Sequence, residues 1–192
     1  MKEQRKILKS LNIDKSWTLF LDRDGIINKK IENDYVRNWE QFEFLPGVIE
    51  ALKVLGNIFG KIIIVTNQRG IGRGLMTYND LKEIHNKMLE VFKVNRIKIT
   101  TIYYCPHDYE KEVCNCRKPR IGMALMAKKD YPEINFSKSI MIGDSLSDIE
   151  FAKNVGMIGI AVNNPNLSKK GFIYFGSLND FAKVLKEKYK KC

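Results

Sequence analysis

The fold of this chain is decided by one stretch, Trp17-Thr18-Leu19-Phe20-Leu21-Asp22-Arg23-Asp24-Gly25. Its apolar half is typical of a buried parallel strand, and the carboxylates of Asp22 and Asp24 follow at the tip of that strand. Open α/β sheets bind ligands at this edge. Two carboxylates there can bind a hard cation, and one can act as a nucleophile while the other acts as a general acid and base. Taken alone, a D-x-D-G motif is more typical of a polar loop, so the prediction of an enzyme depends on further clusters.

Apolar runs alternate with amphipathic segments along the rest of the chain. The runs predict strands at residues 17–21, 61–66, 97–104, 139–142, 158–162 and 172–175. Helices are predicted between them, at residues 46–57, 77–94, 121–129, 145–154 and 177–188. Thr77 and Asp80 form a capping box for the second helix, in which His85 is expected to be an ordinary residue. Strands that alternate with such helices pair in parallel, so the sequence predicts an α/β fold, a three-layer Rossmann-like sandwich with a mainly parallel sheet.

No repeat, low-complexity tract or Pro/Gly-rich linker divides the 192 residues. We therefore expect a single domain over residues 17–192, preceded by an N-terminal extension at residues 1–16 that forms either a short amphipathic helix or a loose arm. No apolar run approaches the ~20 residues that span a bilayer, and residues 1–15 lack the apolar region of a signal peptide. These features predict a cytoplasmic protein without a membrane partner.

The net charge of the chain is +11, and a charge of this size favours nucleic acid or another polyanion as a partner. The lysines, however, are spread along the chain, and aromatic residues do not alternate with them. A lysine-coated surface that attracts small anionic substrates is therefore the preferred interpretation. We expect no nucleic-acid partner, and we expect a monomer.

Polar clusters occur at three further places. Thr66-Asn67-Gln68-Arg69-Gly70 directly follows an apolar run, where a hydroxyl and an amide can bind phosphate oxygens. Arg117-Lys118-Pro119 precedes a predicted helix, a position that suits an anion. Gly143-Asp144-Ser145-Leu146-Ser147-Asp148 supplies another carboxylate at a strand tip. Each cluster has an ordinary alternative, namely a tight glycine loop, an exposed Arg-Lys pair and a helix N-cap.

Three of the four cysteines lie close together, in the pattern C-x-H-x₆-C-x-C formed by Cys105, His107, Cys114 and Cys116. Three thiolates and one imidazole make a closed tetrahedral set suited to structural Zn²⁺. Chance clustering and a redox pair are the alternatives, and a full set of four ligands disfavours a catalytic zinc. Cys116 directly precedes Arg117, so closing this zinc-binding loop is expected to position the cations that follow it.

The order D-x-D-G, Thr, Lys and G-D-x-x-x-D resembles the haloacid dehalogenase superfamily of phosphotransferases. The resemblance implies that Asp22 is the nucleophile, which forms an aspartyl-phosphate. Asp24 is implied to protonate the leaving group and then to activate water. Thr66 and Lys118 are implied to stabilise the phosphoryl group.

The same resemblance implies a catalytic Mg²⁺. Its ligands are Asp22, Asp144 and the backbone carbonyl of Asp24, and Asp148 is implied to support the site without binding the metal directly. Positive charge from Mg²⁺ and Lys118 is what allows a carboxylate to approach a phosphate dianion.

A fuller series of motifs runs from Trp17 onward: D-R-D-G-x-I-N, T-N-Q-x-G-I-x-R-G, Y-Y-C-P-H, C-x-C-R-K-P and G-D. It is similar to the D-glycero-D-manno-heptose 1,7-bisphosphate 7-phosphatase family, and histidinol-phosphate phosphatases share much of it. This implies a capless enzyme whose substrate is a phosphorylated sugar, in heptose activation for surface polysaccharide. A histidinol-phosphate phosphatase is the nearest alternative, because Asp34 or Glu32 can attract an ammonium group, and a nucleic-acid 3′-phosphatase is a more distant one.

The resemblance also carries substrate contacts onto numbered positions: Arg23, Glu32, Asn33, Asp34, Tyr35, Asn67, Gln68, Arg69, Arg117 and Ser145. Three positions depart from the family pattern. Arg69 stands where a small residue is frequent, Ser145 where a lysine often follows Gly-Asp, and Ile121 where proline is common. We hypothesise that Arg69 supplies the cation that Ser145 lacks and that it holds the distal phosphate.

Overall fold

Six parallel strands form a single sheet in the computed structural model of the chain, which describes residues 7, 8 and 10–189. The strands are β1 (Thr18–Leu21), β2 (Lys61–Asn67), β3 (Thr101–Cys105), β4 (Ser139–Gly143), β5 (Ile158–Val162) and β6 (Ile173–Phe175). Their order across the sheet is β3-β2-β1-β4-β5-β6, and every neighbouring pair is parallel. This order confirms the Rossmann-like prediction.

Helices connect the strands, and they include the α-helices α1 (Val48–Ile58), α2 (Arg69–Gly72), α3 (Tyr78–Val94), α4 (Gly122–Asp130), α5 (Leu146–Val155), α6 (Pro165–Lys169) and α7 (Leu178–Tyr189). Short 3₁₀ helices lie at Trp39–Gln41 and Phe136–Lys138. The capping box predicted for Thr77 and Asp80 begins α3. The short helices α2 and α6 were not predicted, because four or five residues show no helical period. The strand predicted at residues 97–104 begins only at Thr101, because the amide of Ile97 bonds to the carbonyl of Phe92 at the end of α3.

Side chains of the strands alternate between two cores. In β1, Leu19 and Leu21 pack in the core that also contains residues of α1, α3 and α7. Phe20 points to the other face and packs in the core that contains residues of α4 and α5. All three side chains are fully buried. Helices therefore cover both faces of the sheet, which confirms the three-layer sandwich.

Part of the predicted N-terminal extension packs on the first of these cores. Leu8 and Ile13 are buried in the same cluster as residues of α1 and α7. The hydroxyl of Tyr189, at the end of α7, donates to the carbonyl of Ile13. The described part of this segment is therefore packed against the domain, and residues 1–6 and 9 lie outside the described residues.

The strand β1 lies at the centre of the sheet, where the strand order reverses between β2 on one side and β4 on the other. The register pairs Leu21 with both Ile64 and Ile142, and the three strands run in the same direction, so their carboxyl ends lie at one edge of the sheet. Open sheets bind ligands at such a switch point. Within the described ranges, no connection between elements carries an inserted domain, as the capless prediction expects. None of the helices in those ranges is long and apolar enough to cross a lipid bilayer.

Candidate active site

The chain that leaves β1 stays beside the end of β4. The amide of Asp22 donates to the carbonyl of Ile142 at 2.9 Å, which continues the ladder between the two strands by one residue. Gly25 then turns the chain with a φ of +87°, and a Cβ at this position would collide with the carboxylate of Asp144. The glycine of the D-x-D-G motif is therefore required both by its left-handed conformation and by this close approach.

The ammonium of Lys118 joins two carboxylates at the centre of the site. It lies 2.9 Å from Asp22 and 2.6 Å from Asp148, and it donates to the carbonyl of Val65 at 2.8 Å. Its side chain is only 1% exposed. Burial lowers the pKa of Lys118, but the charges of Asp148 and Asp22 outweigh burial and raise the pKa above its ordinary value. Lys118 is therefore a fixed positive charge beside Asp22.

Burial controls the acidity of Asp22. Loss of solvation raises the pKa of Asp22 to about 7 against the opposing charge of Lys118, and the carboxylates of Asp148 and Asp24 raise it as well. Further positive charge beside Asp22 favours its carboxylate form. The environment of Asp22 is therefore one that a divalent cation would complete.

Three donors hold the carboxylate of Asp24. Nη2 of Arg23 lies 2.9 Å from both oxygens, and the side-chain amides of Asn28 and Gln68 donate at 2.9 and 2.8 Å. Burial raises the pKa of Asp24, but the charge of Arg23 and these hydrogen bonds outweigh it and lower the pKa below its ordinary value. The amide of Gln68 also donates to Oγ1 of Thr66 at 2.8 Å, so Gln68 orients both groups.

A histidine outside the predicted motifs contacts this network. Nη1 of the buried Arg23 lies 3.2 Å from Nε2 of His85 on α3. Burial and, to a lesser extent, the charge of Arg23 lower the pKa of His85 to about 3. The ring is therefore neutral and accepts a hydrogen bond from the guanidinium. The expectation of an ordinary helix residue misses this contact, because no motif connects α3 with the D-x-D-G stretch.

Three carboxylates provide a candidate cation site. The ligating atoms of Asp22, Asp144 and Asp148 lie within 4.8 Å of one another. Oδ1 of Asp144 is buried without a hydrogen-bond partner, so it is available to a metal. Carboxylate oxygens are ligands that Mg²⁺ accepts, and the group therefore fits the predicted ion. The side chain of Asp24 is not in this group, and binding of the metal by its backbone carbonyl stays a prediction.

Asp148, the third carboxylate of this group, is fully buried. Besides its ion pair with Lys118, it accepts hydrogen bonds from the amide and the hydroxyl of Ser145, at 3.1 and 2.5 Å. Asp148 therefore fixes the lysine and the start of α5.

A cleft of about 220 Å³ opens over these groups. The four predicted catalytic residues line it: Asp22, Asp24, Thr66 and Lys118. Five of the predicted substrate contacts also line it: Asp34, Tyr35, Asn67, Arg117 and Ser145. The lining is completed by Lys30, Ile31, Val36, Asp144 and Ser147.

The other five predicted substrate contacts lie outside this lining. Arg23 and Gln68 are buried behind it, where they hold Asp24. Glu32 and Asn33 are exposed on the loop after β1. The fifth residue, Arg69, is engaged by another part of the chain.

The cysteine loop, residues 105–116, brings its four predicted metal ligands together. Nδ1 of His107 lies 3.1 Å from Sγ of Cys116 and 3.6 Å from Sγ of Cys105, which is itself 3.5 Å from Sγ of Cys114. Ligands of a tetrahedral zinc with bonds of about 2.3 Å stand roughly 3.7 Å apart. The donor types and their spacing therefore fit a Zn²⁺ site, and these three cysteines form no disulfide.

The cysteine loop also holds Arg69, against the hypothesis that this residue binds the distal phosphate. Nε of Arg69 lies 2.6 Å from Asp108, and Nη2 lies 2.6 Å from Glu110. The guanidinium stacks on the ring of Tyr109 at 3.9 Å from its centroid. Two carboxylates thus neutralise Arg69, which anchors the cysteine loop to α2 instead of facing the cleft.

One cation of the cleft has no clear signal in the sequence. Lys30 lies on the loop after β1, and its ammonium is 3.1 Å from Oδ2 of Asp144. The sequence by itself does not distinguish Lys30 from the adjacent Lys29.

The buried lysine, the paired carboxylates and the candidate cation site are groups suited to phosphoryl transfer, and comparisons with known proteins identify a family of phosphatases. The family model described as polynucleotide kinase 3 phosphatase matches residues 18–166. A protein from Mycobacterium bovis named D-glycero-alpha-D-manno-heptose-1,7-bisphosphate 7-phosphatase is 46% identical over 139 residues, which cover 72% of this chain and 73% of the relative. A protein of the same name from Campylobacter jejuni is 39% identical over 176 residues, which cover 91% of this chain and 98% of the relative.

A solved structure leads to the same assignment. The crystal structure of D,D-heptose 1,7-bisphosphate phosphatase from B. bronchiseptica, complexed with magnesium and phosphate, matches with a TM-score of 0.81 and 27% identity, over 89% of this chain and 98% of that chain. The chain therefore belongs to the haloacid dehalogenase superfamily and, within it, to the heptose 1,7-bisphosphate 7-phosphatase and histidinol-phosphatase family, whose members are phosphoric monoester hydrolases.

Proposed function

We propose that this protein removes the 7-phosphate of D-glycero-D-manno-heptose 1,7-bisphosphate, in the synthesis of nucleotide-activated heptose for surface polysaccharide in the cytoplasm. The observation that carries the proposal is the position of Lys118 at 2.9 Å from Asp22, beside the carboxylate group that Asp22 shares with Asp144. Two relatives that align with this chain over most of their length are named for that reaction. Their names also lead us to expect faster turnover of the α anomer.

The proposed reaction has two halves. A carboxylate oxygen of Asp22 attacks the phosphorus, and the bond from phosphorus to the sugar oxygen breaks as Asp24 gives a proton to that oxygen. Asp24 then takes a proton from water, which attacks the aspartyl-phosphate, releases inorganic phosphate and restores Asp22. Bound Mg²⁺ supplies positive charge that offsets the charge of the phosphoryl group.

The other residues of the site support these two halves. Lys118 stabilises the phosphoryl oxygens, and the hydroxyl of Thr66 is free to donate to them because its oxygen accepts from Gln68. Asp24 starts as a carboxylate, since its pKa is lowered in the free protein. The negative charge of a bound phosphate raises the pKa of a nearby carboxyl group, which favours a protonated Asp24 in the complex.

One contact disfavours histidinol phosphate as the substrate. Of the two acids that can attract the ammonium of that substrate, Glu32 does not line the cleft, and Asp34 pairs with Arg37 through two oxygens at 2.7 and 2.8 Å. The cleft is also lined by Lys30, Arg117 and Lys118, and these cations favour a second anionic group over an ammonium.

Phosphate release with Mg²⁺ tests the proposal. The substrates are both anomers of heptose 1,7-bisphosphate, histidinol phosphate and a 3′-phosphorylated oligonucleotide, since the family model carries the name of a polynucleotide phosphatase. We expect kcat/KM for a heptose bisphosphate to exceed the others at least a hundredfold. A preference for histidinol phosphate or for the oligonucleotide would replace the proposed substrate.

A further inference from the structure

A substrate with two phosphates needs positive charge at two places in the cleft. Four carboxylates line it, those of Asp22, Asp24, Asp34 and Asp144. Among the described residues, three lining side chains carry positive charge: Lys30, Arg117 and Lys118. Lys118 is buried between Asp22 and Asp148, and in the proposed reaction it binds the transferred phosphate. The phosphate that stays on the sugar therefore depends on the other two.

Arg117 provides fixed positive charge on the side of the cleft next to the cysteine loop. Its guanidinium lies over the ring of Tyr109, 4.7 Å from the centroid. Nη1 of Arg117 is buried and has no hydrogen-bond partner. A buried guanidinium nitrogen without an acceptor is suited to an anionic ligand.

Lys30 provides charge that can move, on the loop after β1. Its side chain is 53% exposed, and its contact with Asp144 is a single ion pair at 3.1 Å. A half-exposed ion pair of this kind is weak. Asp144 also belongs to the candidate cation site, and a metal bound there would neutralise the carboxylate and release Lys30 for another anion.

The neighbouring Lys29 shows that contact with the cleft is a property of Lys30 and not of every lysine in this loop. Its side chain is equally exposed, at 53%, yet its ammonium pairs with Glu43 at 2.6 Å and does not line the cleft. The two adjacent lysines therefore lie on different surfaces, and of the two it is Lys30 that contacts an acidic group of the site.

We propose that Lys30 is a specificity-determining residue that binds the phosphate retained on the sugar and, together with Arg117, makes the enzyme prefer a bisphosphate. This inference rests on the proposed function. It replaces Arg69, which faces the cysteine loop, as the cation that compensates for Ser145.

Lys30→Gln, Lys30→Arg and the matched control Lys29→Gln test this inference. Each variant is assayed with a heptose 1,7-bisphosphate and with p-nitrophenyl phosphate, a monoester without a second phosphate. Lys30→Gln should lower kcat/KM for the bisphosphate about tenfold to a hundredfold and leave the monoester within about twofold. Lys30→Arg should recover most of the loss, and Lys29→Gln should behave as the wild type.

Binding gives a second readout that does not require turnover. Mannose 1-phosphate has the ring configuration of the proposed product, and calorimetry should show weaker binding of it to Lys30→Gln by a similar factor. An equal loss for the bisphosphate and the monoester would overturn the inference, because Lys30 would then act on the transferred phosphate or on Asp144. If Lys30→Gln kept the wild-type preference for the bisphosphate over the monoester, the inference about Lys30 would be overturned, but the proposed function would not. A wild type without this preference would overturn the proposed function as well.

Discussion

Nε2 of His85 lies 3.2 Å from Nη1 of Arg23, and this contact joins α3 to the D-x-D-G stretch. Arg23 in turn holds both carboxylate oxygens of Asp24 at 2.9 Å. A neutral imidazole can accept a hydrogen bond from the guanidinium, whereas a protonated one would repel it. The proposed acid–base residue is therefore oriented through a histidine that must remain uncharged.

This requirement predicts a pH-dependent stability. The pKa of His85 is lowered to about 3 in the folded chain from an ordinary 6.5, so the unfolded chain binds the proton first as pH falls. The contribution of a neutral His85 to the free energy of unfolding is complete above pH 6.5. Below that pH it falls by about 1.4 kcal/mol per pH unit. Between pH 7.5 and pH 5, the wild type should lose about 2 kcal/mol more than His85→Gln. Denaturant unfolding measures both proteins, and parallel losses would contradict a neutral His85.

Replacement of the proposed nucleophile should separate catalysis from folding. Asp22→Asn keeps the shape of the side chain, and the buried Lys118 keeps its ion pair with Asp148. We expect kcat to fall about 10⁴-fold or more, while the melting temperature changes by only a few degrees. Glu150→Gln, an exposed acid on α5, is the control and should retain full activity. Residual activity within tenfold of the wild type would remove Asp22 from the nucleophile role.

Loss of the proposed zinc should weaken both the fold and the binding of substrate. The ligand Cys116 directly precedes Arg117, so a loosened loop displaces a cation that lines the cleft. Cys114→Ser, or treatment with a chelator, should therefore lower the melting temperature and raise KM together. Val113→Ala, at a position 85% exposed in the same loop, should do neither. If the melting temperature of the metal-free protein equalled that of the zinc-loaded protein, the cysteine cluster would be incidental.

Arg69 should contribute to stability rather than to phosphate binding. Arg69→Ala leaves the carboxylate of Asp108, which is only 3% exposed, without its ion pair. The carboxylate of Asp108 then has no partner for its charge, so Arg69→Ala should lower the free energy of unfolding. The stability of Arg69→Lys should lie between that of the wild type and that of Arg69→Ala, because one ammonium cannot reproduce the planar contacts to both carboxylates.

The exposed Arg73 supplies the control for this prediction, and Arg73→Ala should leave stability unchanged. Chemical unfolding and KM are measured on the same samples. A raised KM for the bisphosphate with unchanged stability would return Arg69 to the role of a phosphate ligand.

Much of the fold could be predicted because its signals are local. The strand β5 begins and ends where the apolar run at residues 158–162 does, and α3 begins after Thr77, where the capping box predicts. The failures were also local: Ile97 continues an apolar pattern that resembles a strand, but its amide closes the end of α3. A hydrophobic period does not show whether a residue belongs to a ladder or to the turn before it.

By itself, the sequence determined the strand that leads to Asp22 and Asp24, the order of the polar clusters and the spacing of the four candidate ligands in the cysteine loop. Those features depend on residue types at fixed spacing along the chain. Only the tertiary structure decided that Lys30 rather than Lys29 reaches Asp144, and that Arg69 faces the cysteine loop. The partner of a long charged side chain is set by the segments that packing brings within about 4 Å of it, and those segments are distant in the sequence.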